Sequence, residues 1–179
     1  MTGAPDRIAT DRLILTAPRK DDLDDMMALW GDPSVMQYIG APLGRAEVWG
    51  RLLKYAGHWA LFGFGYWLVR ERAGGRFIGE ANLSFQQRSH PALPEGEIEG
   101  GWLLAPAAQG KGYAGETLAA LLAWADDGLA STSVRCLIDR RNAASFRLAE
   151  RHGFNRVGMV TTGGEDFELL RRGRRNPTV

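Results

Sequence analysis

Glu97-Ile98-Glu99-Gly100-Gly101-Trp102-Leu103-Leu104, running into Ala105-Pro106-Ala107-Ala108-Gln109-Gly110-Lys111-Gly112-Tyr113-Ala114, is the stretch on which the reading of this chain turns. Its first part predicts a strand. Its second is a glycine-punctuated loop that enters a helix: from Gly112 to Asp127 the residues Ala114, Leu118, Leu121, Leu122 and Ala125 share one face, and Gly128 supplies a stop. Gly110 and Gly112 lack a Cβ, so a bulky ligand can approach the backbone, and the first-turn N–H groups of the helix have no intrahelical acceptor. The helix dipole and those free donors together favour a pyrophosphate, to which Lys111 adds charge if its side chain turns inward. A Gly-x-Gly pair is also what an ordinary tight turn uses. A phosphate-loop ATPase would need Gly-x-x-x-x-Gly-Lys-Ser/Thr, but position 105 is Ala105 and Lys111 is followed by Gly112. The dinucleotide fingerprint fails too. Gly115 supplies its third small residue, yet the preceding strand ends several residues too early and no acidic ribose reader follows at the expected distance.

Outward from this segment, Arg12 to Thr16 predicts a first strand, and Asp21 to Asp25 open an amphipathic helix carrying Leu23, Met26, Met27 and Trp30, stopped by Gly31-Asp32-Pro33. Val48, Leu52, Leu53 and Tyr55 mark a second helix fading toward Gly57. Tyr66 to Arg70 and Phe77 to Leu83 form a hairpin around Ala73-Gly74-Gly75, and Gln86 to Gly96, with Pro91 and Pro94, is the longest loop. Beyond the central helix, Val134 to Asp139 is a strand, Asn142 caps a helix running to His152, and Gly153 suits its left-handed ending. Phe154 to Val160 and Phe167 to Leu170 are closing strands. No internal repeat or interdomain linker interrupts this order, so residues 1–179 read as one domain.

Composition fits one globular domain with a substantial core. Of 179 residues 45% are apolar and 24% charged, with 22 basic against 21 acidic side chains and a formal charge of +1. Neither nucleic acid nor an anionic membrane is expected as the main partner. Arg171, Arg172, Arg174 and Arg175 read as a solvated tail. The single cysteine, Cys136, excludes an intramolecular disulfide and a multi-cysteine metal site, and points to a reducing, cytoplasmic setting. No run approaches a membrane span, and residues 1–10 lack the apolar stretch of a signal peptide. His58, His90 and His152 lack ligand spacing, so no metal is expected. Cys136 alternates with Val134 and Ile138 as a packed thiol, and the tryptophans are mostly core.

Gln109-x-x-Gly112-x-Ala114 resembles the acyl-CoA pyrophosphate loop of the GNAT superfamily of N-acetyltransferases. Glu99 through Pro106 is similar to the strand that precedes that loop, and Asn142-x-x-Ser145 through Glu150-Arg151-His152-Gly153-Phe154 to the later helix and strand. Thr10-Asp11-Arg12-Leu13-Ile14-Leu15, Gly31-Asp32-Pro33 and Phe77-Ile78-Gly79 are similar to the RimJ/RimL-like branch, which acetylates the N-termini of ribosomal proteins. The resemblance implies an α/β (α+β) fold: a mixed, mostly antiparallel twisted sheet with a parallel, splayed central strand pair and about four flanking helices. It also implies acetyl-CoA as cosubstrate. Backbone groups of Leu103 and Leu104 would hold the pantetheine and thioester, those of Gln109, Gly110, Lys111, Gly112, Tyr113 and Ala114 the pyrophosphate, and Asn142 the pantetheine edge or simply the helix N-cap. The acceptor would be a small-molecule amine or a protein N-terminus, taken directly in a ternary complex, and related enzymes are often homodimers.

An alkylamine is protonated near neutral pH and must lose a proton before it attacks. Glu97 and Glu99 lie on the same side of their strand, and Glu99 is the first candidate base, with solvation of a strand edge as the plain alternative. The thiolate leaving group would take a proton from a tyrosine in many members of the superfamily. That position is Ala149 here, which directs attention to Ser145, one helical turn earlier. Trp49, Trp59 and Phe62 fall where the family builds its acceptor groove. A non-catalytic acyl-CoA-binding regulatory module of the same fold is the main alternative.

Overall fold

The computed structural model describes residues 6–129 and 133–174. Strand β1 (Arg7–Ala9) and β2 (Leu13–Thr16) lead into a 3-10 turn at Lys20–Asp22, helix α1 (Leu23–Trp30) and the short α2 (Pro33–Met36). Then come α3 (Arg45–Phe62), β3 (Tyr66–Glu71), β4 (Phe77–Phe85), β5 (Ile98–Leu104), α4 (Tyr113–Gly128), β6 (Ser133–Asp139), α5 (Ala143–Arg151), β7 (Asn155–Thr162) and β8 (Glu165–Gly173). The strands form one eight-stranded sheet in the order β1-β2-β3-β4-β5-β6-β8-β7, antiparallel throughout except for β5 beside β6.

The expected mixed fold is thus observed, with its parallel pair at the centre. That pair is in register only at Ile98↔Val134 and Glu99↔Arg135, although β5 continues to Leu104 and β6 to Asp139. The two strands therefore part after Glu99 and leave a cleft in the middle of the sheet.

Each face of the sheet has its own apolar layer. Leu118, Leu121, Leu122 and Ala125 of α4 pack on Trp67, Leu83, Ile98 and Val134. On the opposite face Met26 and Trp30 of α1 and Val48, Leu52 and Tyr55 of α3 cover Tyr66 and Leu68. Fully burying each such leucine contributes about 1.5–3 kcal/mol, which sets which face of each helix turns inward. A close approach in this scaffold depends on Gly79: a Cβ there would fall inside the carbonyl oxygen of Leu103.

Three sequence expectations are corrected. Helix α3 does not fade at Gly57 but continues to Phe62 and ends on Gly63 at φ 71°. Glycine in a helix costs about 1 kcal/mol, but buried Tyr55 and His58 on either side anchor the helix through it. Gly31-Asp32-Pro33 does more than stop α1, because Asp32 caps α2 by accepting from the Ser34 N–H at 2.8 Å, with Pro33 at the first helical position. Finally, Arg171 and Arg172 are not tail residues. They sit in β8 opposite β6, and Arg172, 5% exposed, forms an ion pair with Asp126 of α4. Arg174 donates to the Asp126 carbonyl, and Arg175 lies outside the described residues. No described helix is long and apolar enough to cross a membrane.

Candidate functional site

The loop between β5 and α4 enters the helix through two glycines with left-handed backbones, Gly110 at φ 75° and Gly112 at φ 80°. A Cβ at Gly110 would meet nothing within 4 Å, so this turn faces open space. Among the described residues the main-chain N–H groups of 110–115 have no protein acceptor, and the first helical bond is Glu116 N–H to Gly112 O at 3.1 Å. The result is a row of unpaired donors at the positive end of a sixteen-residue helix.

The row is braced from behind. Arg12 donates to the Lys111 carbonyl (3.0 Å) and to the Glu116 carboxylate (2.7 Å), and its guanidinium lies 4.7 Å from the Tyr113 ring centre. Glu116 also accepts from the Arg12 N–H and the Thr10 hydroxyl. Burial pushes its carboxyl up, but these donors outweigh burial and hold it below the ordinary carboxylate range. Tyr113 donates to Glu71 at 3.0 Å, and Arg76 binds the same carboxylate. Lys111 is exposed, and the Gln109 amide donates to the Leu104 carbonyl at 3.0 Å.

Across the cleft, Asn142 accepts the Ser145 N–H at 3.0 Å, so it is the N-cap of α5, and its amide nitrogen is left over as a donor. The Ser145 oxygen accepts the indole N–H of Trp102 at 3.2 Å. This contact joins β5 to α5 where the strands part, and it leaves the hydroxyl proton of Ser145 free to donate. Ala149 is fully buried one turn later.

On the opposite face of β5, Glu99 is 8% exposed. Both its oxygens are held by Arg88, Nε to Oε2 at 2.9 Å and Nη2 to Oε1 at 2.7 Å, while Arg135 Nε reaches Oε2 at 3.3 Å. Arg135 is fully buried between Glu99 and Glu97, and its Nη2 has no partner. Glu97 in turn binds Arg171 and Ser133. Burial raises the Glu97 carboxyl, but Arg171, Ser133 and Arg135 together bring it below the ordinary range. Glu97 and Glu99 do share a face, as their spacing predicts. What the spacing did not reveal is that Arg88, Arg135 and Arg171 meet them there, since those partners come from a loop and two other strands.

Glu80 of β4 was not anticipated either. It stands opposite Leu103 in the sheet and is buried, accepting from Tyr55 (2.6 Å) and Trp30 (3.1 Å). Desolvation raises its carboxyl, against the lowering effect of those two donors and Arg51. Its sequence signal is the single charged residue of β4.

The remaining candidates disperse. Trp59 donates to the Tyr66 carbonyl and packs edge-on against Trp67 in the core, whereas Trp49 and Phe62 are exposed at separate turns of α3. His58 is buried as a neutral ring: Nε2 accepts from Phe85 N–H, so Nδ1 donates to Phe64 O, and burial lowers its basicity. His152 contacts the carbonyls of Leu148 and Gly115. Cys136 is buried, which pushes its thiol up. The described residues contain no cluster of three or more groups able to hold a metal.

Residues 12–155 match the family model described as acetyltransferase (GNAT) domain. A Bordetella pertussis chain assigned to the GnaT acetyltransferases is 32% identical with a TM-score of 0.81, covering 94% of this chain and 100% of that one. YkkB of Bacillus subtilis is 26% identical over 159 residues, 86% of this chain and 87% of its own. A spermidine N-acetyltransferase from Vibrio cholerae, solved with CoA and spermine, is 20% identical with a TM-score of 0.73 over 92% of this chain and 97% of that one.

Proposed function

The chain belongs to the acetyltransferase (GNAT) domain family, and from that premise we propose that it moves acetyl from acetyl-CoA directly to a primary amine in a ternary complex. The observation that carries this reading is the row of unpaired donors at residues 110–115, opening beside a cleft between two strands of one sheet. A diphosphate fits those donors, and an extended pantetheine arm fits a gap between strands that have ceased to pair.

The thioester supplies an activated acetyl carbon. In this reading the N–H groups of 110–115 hold the diphosphate, and Gln109, by fastening the Leu104 carbonyl, sets the angle between strand and cradle. Backbone groups of Leu103 and Leu104 align the arm, and the free amide nitrogen of Asn142 steadies it from the far wall. Glu99, directly or through water, takes the proton from the amine. The amine nitrogen then bonds to the acetyl carbon, the carbon–sulfur bond breaks, Ser145 gives its hydroxyl proton to the departing sulfur, and the second proton that the nitrogen sheds on becoming an amide returns to the serine oxygen through water. The Trp102 N–H holds the serine oxygen so that its hydroxyl proton faces the cleft. The branch we infer is RimJ/RimL-like, supported by Thr10 to Leu15, Phe77-Ile78-Gly79 and a serine at 145 with Ala149 in place of the tyrosine. A protein N-terminus or a small-molecule amine is the acceptor, and a homodimer is the proposed assembly.

A second reading, an acyl-CoA-binding module without turnover, draws support from Ala149 and from the two guanidiniums that occupy Glu99. Acetyl-CoA titration combined with thiol release over a panel of amines decides between them. Binding with acceptor-dependent release supports the enzyme, binding without release supports the module, and no binding removes both.

A further inference from the structure

The charged cluster on the β5 face opposite α4 holds three guanidiniums, Arg88, Arg135 and Arg171, against two carboxylates, Glu97 and Glu99. The shortage of acceptors is visible in the geometry. A guanidinium binds a carboxylate side-on through Nε and Nη2, and Arg88 does so to Glu99 at 2.9 and 2.7 Å. Arg135 turns its Nε to the same carboxylate but obtains one long contact of 3.3 Å, and its buried Nη2 finds no acceptor. With three guanidiniums against two carboxylates, this cluster is one negative charge short of neutrality.

Of the three, Arg88 is the one that can turn outward. It lies on the loop between β4 and β5, with its side chain 32% exposed, as is that of Arg171, whereas Arg135 is fully enclosed. Arg171 is tied down as well, to Glu97 and to the Ala92 carbonyl at 2.6 Å. Among the described residues the Arg88 guanidinium has Glu99 as its only hydrogen-bond partner, at the last registered pair before β5 and β6 separate.

We propose that the acceptor amine carries a carboxylate of its own, recognised by Arg88. This rests on the acetyl-transfer reading and names the class of substrate that the site takes. The incoming carboxylate takes the side-on fork of Arg88, restoring the missing negative charge, and Glu99 is left with the contact from Arg135. Binding of the correct acceptor thereby frees the carboxylate that is to receive the amine proton, whereas a polyamine would meet a surplus of positive charge.

The test is a panel of free amino acids with increasing separation of amine and carboxylate, and short peptides with an acidic second residue, each beside its carboxamide. Acetylation of each is measured with the full chain, and acetyl-CoA binding is measured separately. The expected result is a carboxylate preference of about tenfold or more in kcat/KM for the best scaffold. In Arg88→Gln that preference falls to within about twofold, Arg88→Lys keeps part of it, and both bind acetyl-CoA as the parent does. Equal or better acetylation of the carboxamides by the parent, a preference that survives in Arg88→Gln, or acetylation confined to polyamines overturns the proposal and leaves acetyl transfer standing. Failure to acetylate any member while acetyl-CoA binds also overturns it. Failure to bind acetyl-CoA removes the underlying reading with it.

Discussion

Around residues 110–115 the exposed main-chain donors have no acceptor among the described residues, whereas around Glu99 each carboxylate oxygen already has a guanidinium. The first region is preorganised and open. Its side chains, Arg12, Glu116, Tyr113 and Glu71, pair with one another behind the loop and leave the backbone free. The second is occupied by its own ion pairs, and a ligand must displace one of them. A site made of backbone is hard to remove by deleting a side chain and easy to block by adding one. A site made of paired charges responds in the opposite way, because deleting one charge strands another.

The largest effect should come from blocking the open region. Gly112→Glu places a carboxylate at the donor row, on a backbone at φ 80° that side chains rarely adopt, and should weaken acetyl-CoA by about 100-fold or more by calorimetry. An unchanged dissociation constant would break the comparison at its first term. Next, Glu99→Gln should lower kcat by about 100-fold while leaving the acetyl-CoA dissociation constant within about twofold, since it acts only on the paired region. The same variant leaves Arg88 and Arg135 uncompensated, and should lose about 3 kcal/mol of stability in urea titration.

Ser145→Ala removes the acceptor of the Trp102 indole at the β5–α5 contact. Turnover should slow by about tenfold, with water delivering the proton less well, and cofactor affinity should hold. A rate equal to the parent's would assign the acid to water. The smallest effects distinguish two buried glutamates. The folded Glu97 carboxyl lies below its unfolded value, so its contribution is present above about pH 4.3 and is lost as pH falls through the folded value. Glu97→Gln should therefore cost about 2 kcal/mol at pH 7, and less as the pH drops below about 4. Glu80 is raised instead: its contribution is full below about pH 4.3 and is lost as pH rises through the folded value. Glu80→Gln, which can still accept from Tyr55 and Trp30, should be neutral or stabilising by about 1 kcal/mol at pH 7. Equal pH dependence of the two variants in urea titrations would contradict this assignment.

Much of the first region was legible from residue order. Gly110, Gly112 and the apolar face from Ala114 to Ala125 are local signals, because a helix entry and its free donors are made by neighbours in the chain. The N-cap role of Asn142 and the left-handed Gly153 belong to the same class. The second region was legible only in half. Period two put Glu97 and Glu99 on one face, but Arg88 is eleven residues from Glu99 and Arg135 thirty-six, and nothing local says which strand lies next to β5 or in what register.

Residue order by itself determined the succession of helices and strands apart from β1 and α2, the glycine-punctuated entry to α4 and the shared side of Glu97 and Glu99, because each follows from short-range backbone geometry and apolar spacing. Only the tertiary structure decided that β5 and β6 pair for two residues and then part, that Arg171 and Arg172 belong to the sheet, and that Glu99 is shared between a partly exposed and a buried arginine. These outcomes depend on sheet order and register, which are settled by contacts between segments far apart in the chain.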